Sequence, residues 1–206
     1  MTDHTPRFDL AHWNAYNTVQ GTRPVRALCQ RVLALAGPGT RRIAVDLGAG
    51  AGIETAAMLT AGWRVTAIEP AADTALTAVP DSDRPALAHR PSFVQDALPL
   101  PHADLVHASY ALPFVPVADF DRVWKAVREA LLPGGYLAVT LFGPNDAWAQ
   151  DPSIAPGRLT FHSRADVERL LDGLDVVDLD EKDREDRTTR GTKHWHVFEA
   201  IARRAK

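Results

Sequence analysis

The sequence predicts an α/β fold built on a mainly parallel β-sheet. Short apolar runs alternate along the chain with segments whose apolar residues recur at helical spacing, as in strands joined by crossover helices. A glycine cluster at 48–52 directly follows the first apolar run and precedes a helical segment. The 206 residues, 46% of them apolar, suit one domain over 1–206, with a helical cap in 1–40 and the core in 41–206.

Composition excludes several classes of protein. The net charge is −3 and no basic stripe is present, so we expect no nucleic-acid partner. Cys29 is the one cysteine, which excludes an internal disulfide and a Cys-x-x-Cys metal pair. The chain begins without a basic segment leading into an apolar one, and no apolar run approaches ~18 residues. We therefore expect no signal peptide, no membrane partner and a cytoplasmic location.

The first half of the chain alternates between helical and extended segments. Pro24 near its start and Gly37 just past its end bound the first helix. Gly62 ends the second helix, and Glu69-Pro70 closes the second strand. The predicted elements are a helix over 24–36, a strand over 43–47, a helix over 53–61, a strand over 63–68, an alanine-rich helix over 71–79, a polar connection over 80–91 and a strand over 92–94.

The second half contains the clearest amphipathic helix. Its apolar residues fall at steps of three and four: Phe120, Val123, Trp124, Val127 and Leu131. The segment 163–166 has the pattern of a capping box. The predicted elements are a strand over 104–109, the helix over 120–131 stopped by Pro133-Gly134-Gly135, a strand over 136–142, an irregular loop over 143–161, a helix over 163–171, a strand over 174–179, a charged connection over 181–192 and a strand over 194–202.

The glycine turn, Asp46 to Gly52, distinguishes between two classes of cofactor. A dinucleotide site needs Gly or Ala at the last position of Gly-x-Gly-x-x-Gly, but counting from Gly48 that position is the branched Ile53. Asp46 would also repel a pyrophosphate, whereas its carboxylate suits the ammonium group of S-adenosylmethionine (SAM). Both observations favour SAM over a nicotinamide dinucleotide.

Two further acids follow the predicted strands. Glu69 ends the second strand about 20 residues beyond the turn, where an acid can accept hydrogen bonds from ribose hydroxyls. The alternative is a solvated strand end. Asp96, after the third strand, is placed for a polar contact to an adenine amino group, and its alternative is a plain turn residue.

These residues resemble the class I SAM-dependent methyltransferases. The resemblance is carried by Asp46–Gly52, Glu69, Asp96-Ala97 and the segment 131–136. More narrowly, the stretches 108–114, 141–143 and 193–198 are similar to small bacterial methyltransferases of the tellurite-resistance type. Two positions depart from that pattern: Ala49 stands where the family often has Cys, and Glu54 where it often has Asp.

The resemblance implies a Rossmann-like sheet of seven strands with an antiparallel last strand and helices on both faces. SAM would then lie across the carboxyl ends of the first two strands, with the acceptor beyond the fourth and fifth. The residues expected at the cofactor are Asp46, Gly48, Ala49, Gly50, Gly52, Glu69, Pro70, Asp96, Ala97 and Ser109.

The acceptor is expected to be a small molecule. After the fourth strand, methyltransferases that act on amino groups of nucleic acids or glutamine carry an Asn-Pro-Pro-Tyr-like tetrad, whereas this chain has Ser109-Tyr110-Ala111-Leu112. The candidate pocket residues, each of which has core packing as its alternative, are Trp13, Tyr16, Tyr110, Phe142 and His196.

Two residues are candidates for orienting the acceptor or accepting its proton. His194 starts the last strand and is a candidate base or orienter, and Arg23 precedes Pro24 at a helix start, where a guanidinium can bind an oxyanion. His194 and His196 share a strand face, but no third ligand is evident, so we expect no metal. We expect residues 1–23 to form a lid over the acceptor.

Two other functions remain open at this stage. The chain could be a non-catalytic protein that binds SAM or S-adenosylhomocysteine as a sensor or partner subunit. It could also be a nucleotide-linked oxidoreductase, although Ile53 and Asp46 disfavour this. The sequence predicts neither the accepting atom nor the oligomeric state.

Overall fold

A seven-stranded sheet forms the centre of the computed structural model, which describes residues 8–20, 22–188 and 191–206. The strand order is β3-β2-β1-β4-β5-β7-β6. Strands β1 to β5 pair in parallel, whereas β7 is antiparallel to both β5 and β6. The strands are β1 (Ile43–Leu47), β2 (Arg64–Ile68), β3 (Leu87–Arg90), β4 (Ala103–Ala108), β5 (Leu131–Phe142), β6 (Asp175–Thr188) and β7 (Gly191–Arg203). The predicted Rossmann-like fold with an antiparallel last strand is confirmed.

Helices cover both faces of this sheet, as predicted. The helices are α1 (Leu10–Gln20), α2 (Ala27–Ala36), α3 (Ile53–Thr60), α4 (Val117–Ala130) and α5 (Arg164–Leu170). On one face Val32 of α2 and Met58 of α3 belong to a core cluster with Leu105 of β4. On the other face Val127 of α4 and Val167 of α5 belong to a second cluster. No helix within the described ranges has the length and apolar character needed to cross a membrane.

The amphipathic helix predicted around 120–131 is α4. Phe120, Val123, Trp124 and Val127 are buried, as their spacing requires. The indole Nε1 of Trp124 donates to the carbonyl oxygen of Leu170 at 3.1 Å and so links α4 to the end of α5. The capping box at Ser163 is also present at the start of α5.

Residues 71–79 do not form the predicted helix. The segment folds as successive turns because two of its amides donate to the glycine turn: Leu76 N to Gly50 O at 3.0 Å and Ala78 N to Ala51 O at 2.8 Å. Leu76 also has a positive φ of 58°, which no right-handed helix accommodates. The local helix propensity of the alanines is overridden by this tertiary contact.

The third strand lies earlier than predicted. β3 occupies Leu87–Arg90, within the predicted polar connection, and pairs with β2 from Val65 to Ile68. The predicted strand over 92–94 instead leads into a 3₁₀ turn at Val94–Asp96. This shift changes which side chains reach the carboxyl edge of the sheet.

Strands β5 and β6 are longer than predicted. β5 begins at Leu131 and includes Pro133-Gly134-Gly135, where the pairing with β4 shifts register between Ala103 and Leu105. β6 continues through the predicted charged connection, as a ribbon paired with β7 as far as Thr188 and Gly191. The charged side chains of 183–187 are exposed, so this part of β6 carries no apolar alternation that would have indicated a strand.

Gly52 begins α3 with a positive φ of 86°, and a Cβ at this position would lie 2.8 Å from Leu76 Cα. Gly157 has a similar φ of 75° with nothing within 4 Å of its Cβ position. A side chain in the left-handed region costs about 1–2 kcal/mol, and overpacking adds about 1–3 kcal/mol. We expect Gly52→Ala to lower the free energy of unfolding by at least about 1 kcal/mol more than Gly157→Ala, as measured by urea denaturation. Equal losses of unfolding free energy in the two variants would show that residues 71–79 move away from the added methyl group without a measurable cost in stability.

Candidate functional site

A cavity of about 1110 Å³ opens at the carboxyl ends of β1, β2 and β4. Small-molecule pockets typically measure about 300–1,000 Å³, so this central cavity has room for more than one small ligand. Its floor is the glycine turn, its roof is α1, and its far wall is formed by the loop at 147–152 and the first half of β7. The described residues therefore enclose one continuous space between the predicted cofactor edge and the predicted acceptor edge.

The glycine turn is held by β2, the strand next to it. Gly48 N and Ala49 N both donate to Ile68 O, at 2.8 and 3.2 Å. Gly50 N donates to the Glu69 carboxylate at 2.9 Å, and Gly50 has a φ of 56° that suits glycine. Gly48, Ala49 and Gly50, which were predicted at the cofactor, line the cavity, whereas Gly52 does not. Gly52 instead packs against Leu76 at the start of α3.

Glu69 is buried with 5% exposure and lines the cavity, so it is not a solvated strand end. Its carboxylate accepts hydrogen bonds from Gly50 N, from Ala71 N at 3.1 Å and from Asn17 Nδ2 at 3.3 Å. An ionised carboxylate has about four lone-pair sites, so at least one remains for a ligand hydroxyl. Pro70 lines the cavity beside it.

Asp46 is buried and both of its carboxylate oxygens have partners. Thr55 Oγ1 donates to one oxygen at 2.6 Å, and His107 Nδ1 lies 2.8 Å from the other. His107 is opposite Asp46 in the parallel pairing of β1 with β4. Sequence analysis missed His107, although a histidine inside the apolar run of the fourth strand was a signal that could have identified it.

Asp96 and Ala97, which were predicted at the cofactor, lie outside the lining of the cavity, and their contact to a cofactor stays a prediction. Asp96 is exposed, and neither residue lines the cavity; Val94 and Gln95 do so instead. The reason is the early end of β3, which leaves a 3₁₀ turn rather than a strand end at this edge. Ser109 lines the cavity, and its buried Oγ has no hydrogen-bond partner among the described residues.

Helix α1 lies across the cavity. Trp13, Tyr16 and Asn17 line it, and the role of the two aromatic residues in binding an acceptor stays a prediction. Asn17 reaches Glu69, and Thr74 Oγ1 donates to Asn14 Oδ1 at 2.9 Å. Residues 1–7 and 21 of the predicted lid lie outside the described residues.

Arg158 binds the backbone at the start of α1. The Arg158 guanidinium donates to Phe8 O at 2.7 Å and to Phe114 O at 2.8 Å. Burial lowers the pKa of this arginine, although Asp9 opposes the shift. Asp9 Oδ1 accepts from His12 N at 2.8 Å, which satisfies an amide at the helix start. These contacts fix one end of α1 to the wall of the cavity.

The other end of α1 is fixed through Arg23. Its two terminal nitrogens donate to Glu54 at 2.6 and 2.5 Å, and Arg26 N donates to the same carboxylate at 3.0 Å. Burial would raise the pKa of Glu54, but the hydrogen bonds and positive charges of Arg23 and Arg26 outweigh it and lower the pKa to about 2. Arg23 lines the cavity, but its terminal nitrogens engage Glu54, so its primary contact is structural. Its predicted role in orienting an acceptor stays a prediction.

The far wall of the cavity is aromatic. Trp13 lies 4.9 Å from Phe114, and Trp148 lies 5.6 Å from Trp195, between ring centroids. Tyr110 packs edge-on against Trp195, and burial raises its pKa to about 12, with a smaller contribution from the charge of Glu199. This wall offers flat apolar surfaces on several sides of one space.

Two predicted pocket residues lie elsewhere. Phe142 is fully buried behind the aromatic wall and does not line the cavity. His196 does not line it either, because β7 alternates and turns Lys193 and Trp195 toward the cavity. His196 is buried on the other face, where Nε2 contacts Glu181 at 3.0 Å and Nδ1 accepts from Asn145 N at 3.1 Å. His194 lies at the rim, 39% exposed, with Nε2 2.6 Å from Asp183.

Lys193 is a second residue that sequence analysis missed. Its Nζ donates to both oxygens of the buried Asp146 at 2.6 and 2.8 Å. The ammonium lies 3.3 Å from the ring centroid of Trp195 and 4.2 Å from that of Trp148. Burial lowers the pKa of Lys193, against the opposing effect of Asp146. The aromatic wall therefore contains a half-buried ammonium group that is paired with a buried carboxylate.

Comparison with known proteins gives a family and a fold. A family model described as a methyltransferase domain matches residues 19–179. No curated protein sequence matches the chain. Among solved structures, TehB from Haemophilus influenzae superposes with a TM-score of 0.72 at 12% identity, over 93% of this chain and 66% of that one. The chain thus spans just under two thirds of TehB.

Two other solved structures superpose over more of their own length. The 1,6-didemethyltoxoflavin-N1-methyltransferase of Burkholderia thailandensis, solved with 1,6-didemethyltoxoflavin and S-adenosylhomocysteine, has a TM-score of 0.68 at 17% identity, with 96% and 85% of the two chains covered. The N-methyltransferase NodS of Bradyrhizobium japonicum WM9 has a TM-score of 0.63 at 14% identity, with 94% and 98% covered. At these identities the likeness establishes the fold.

The Arg23–Glu54 contact predicts a pH dependence. Because the pKa of Glu54 is lowered to about 2 in the folded state, its ionisation stabilises the fold above the ordinary carboxyl pKa, and this is lost as the pH falls toward 2. We expect Glu54→Gln to lower the free energy of unfolding by up to about 3 kcal/mol at pH 7 and by progressively less below pH ~4.5. Urea denaturation at several pH values measures this. The control is Asp81→Asn, which alters an exposed acid; a Glu54 effect independent of pH would contradict the assignment.

Proposed function

This chain belongs to the methyltransferase domain family, and we propose that it transfers a methyl group from its cofactor, SAM, to a small-molecule acceptor. The resemblance to class I SAM-dependent methyltransferases is confirmed by the family match, and the protein is a SAM-dependent enzyme. The observation that carries the proposal is the central cavity, which joins the glycine turn and Glu69 to an aromatic wall under one helix.

The residues at the sheet edge fit SAM. Gly48 and Gly50 let a ligand approach the backbone, and Glu69 keeps lone-pair capacity for ribose hydroxyls. Val94 and Gln95 line the cavity beside the position at which Asp96 was expected to meet the adenine. When bound, SAM supplies a methyl group on a positively charged sulfur, already activated for transfer. The protein is then required to hold it, align the acceptor and exclude water.

The aromatic wall suits an acceptor with a flat apolar body. Trp13, Phe114, Trp148 and Trp195 offer ring faces and edges for stacking. The Lys193 ammonium donates to both oxygens of Asp146 and otherwise faces the rings of Trp195 and Trp148, so one positive charge lies on the aromatic wall. We infer that Lys193 anchors the polar atom of the acceptor while the rings hold its body.

Residues 8–20 supply the cover that methyl transfer needs. Helix α1 lies over the cavity, with one end held by Arg158 and the other by the Arg23–Glu54 pair. Such a cover excludes water when both ligands are present. His194, at the rim and paired with Asp183, is a candidate to accept a proton leaving the site.

SAM and S-adenosylhomocysteine should raise the melting temperature of the protein, whereas NAD(P)H should not, because a ligand that binds the folded state stabilises it by mass action. Thermal denaturation with each nucleotide at millimolar concentration measures this. SAM turnover should then be scored with a panel of aromatic phenols, thiols and amines against their saturated analogues. Stabilisation by SAM without turnover on any compound would favour the non-catalytic binding protein, and no stabilisation would contradict the proposal.

Glu69→Ala should weaken S-adenosylhomocysteine binding by about 1–3 kcal/mol, because hydrogen bonds to a charged group are lost. Isothermal titration calorimetry on the folded variant measures the change. The matched control is Glu129→Ala, which removes an exposed acid on α4. Wild-type affinity in the Glu69 variant would show that its carboxylate serves only to hold Gly50 and Asn17.

A further inference from the structure

Asp46 and His107 form a buried polar pair at the carboxyl edge of the sheet. Their side chains are 1% and 2% exposed, and Oδ1 of Asp46 lies 2.8 Å from Nδ1 of His107. A buried carboxylate is tolerated when it accepts hydrogen bonds, and Asp46 accepts a second one from Thr55 at 2.6 Å. Both oxygens of Asp46 are therefore engaged within the protein.

The carboxylate determines which nitrogen of His107 carries the proton. A carboxylate can only accept, so the hydrogen of the neutral imidazole lies on Nδ1 and is donated to Asp46. Nε2 then presents a lone pair. This atom is buried and has no hydrogen-bond partner among the described residues, although His107 lines the central cavity. A buried acceptor without a partner is rare in proteins and points to a ligand that supplies a donor.

The position of His107 selects the part of the cofactor that it would contact. His107 is on β4 and Glu69 follows β2, with β1 and its glycine turn between them. A cofactor whose ribose meets Glu69 and which crosses the glycine turn would bring its other end to β4. In SAM that end is an amino acid, whose α-ammonium has hydrogens to donate and whose carboxylate has none.

We propose that His107 Nε2 accepts a hydrogen bond from the α-ammonium group of SAM and that Asp46 is a positioning residue acting through the imidazole. The proposal rests on the proposed function, since it takes SAM to be the ligand of the cavity. It reassigns the role that the sequence suggested for Asp46, whose oxygens already accept from Thr55 and His107. The negative charge of Asp46 still favours the ammonium, through one intervening ring.

Ser109 completes the same subsite. It lies in the turn directly after β4, two residues beyond His107, and both side chains line the central cavity. Its buried Oγ likewise lacks a partner among the described residues. A hydroxyl can donate to the cofactor carboxylate, which His107 Nε2 cannot do. The two side chains thus match the two charges of an amino acid with an acceptor and a donor.

The experiment compares three adenosine ligands by isothermal titration calorimetry. S-adenosylhomocysteine has the ammonium and the carboxylate, S-adenosyl-3-thiopropylamine has the ammonium only, and 5′-methylthioadenosine has neither. The variant His107→Asn keeps an amide donor near Asp46 and removes the Nε2 position, so it preserves the buried pair. His107→Gln places an amide near the Nε2 position, and His102→Asn is the control at an exposed histidine.

We expect His107→Asn to weaken binding of the two ligands that carry an ammonium by about tenfold or more, and that of 5′-methylthioadenosine by less than about twofold. His107→Gln should recover part of the affinity, Asp46→Asn should show the same ligand pattern as His107→Asn, and His102→Asn should change nothing. Thermal denaturation confirms that each variant is folded.

Several results would overturn the proposal. Equal weakening of all three ligands would mean that His107 supports only the shape of the site. A loss confined to S-adenosylhomocysteine would assign His107 to the carboxylate, and unchanged affinities would remove it from the cofactor altogether. If the wild-type protein binds none of the three ligands, the proposed function itself is wrong.

Discussion

The attachment of the glycine turn to β2 is the contact on which the rest of the site depends. Ile68 O accepts from Gly48 N and Ala49 N, and the Glu69 carboxylate accepts from Gly50 N. A turn of this kind has several backbone amides that cannot be left buried and unpaired. Because the neighbouring strand satisfies them, the turn has one fixed shape beneath the cavity.

Two other parts of the molecule are built onto this fixed turn. The turns of 71–79 donate to the carbonyls of Gly50 and Ala51, and Asn17 of α1 donates to Glu69. The floor and the roof of the cavity therefore share the same carboxylate. The roof is held independently by Arg158 at Phe8 and by Arg23 at Glu54, so its position does not rest on one side chain. The helix that covers the cavity is therefore anchored at both ends.

The charged groups at the two ends of the cavity differ in number and in the partners that satisfy them. At the end with the glycine turn, the carboxylates of Glu69, Asp46 and Glu54 are buried and each is satisfied by donors from neighbouring elements. At the aromatic end, Lys193 and the buried Asp146 form an ion pair among the rings. Removal of Lys193 would leave the buried carboxylate of Asp146 without its compensating charge, so the two residues act as a unit. The arrangement separates a polar end of the cavity from an aromatic one.

The sequence by itself determined the fold class, the glycine turn with Glu69, and the aromatic character of α1, because these follow from local periodicity and from residue types within one strand–turn–helix unit. Only the tertiary structure decided which of these residues contact one another and which side chains reach the cavity. Lys193 and Trp195 reach the cavity because long-range pairing with β6 extends β7 as far as Gly191, and Asp96 misses it because pairing with β2 places β3 early. His107 meets Asp46 through the register of β4 against β1. Register is specified locally only where a strand has a clear apolar face, and the short β3 and the charged end of β6 have none, so contacts with distant segments decide it there.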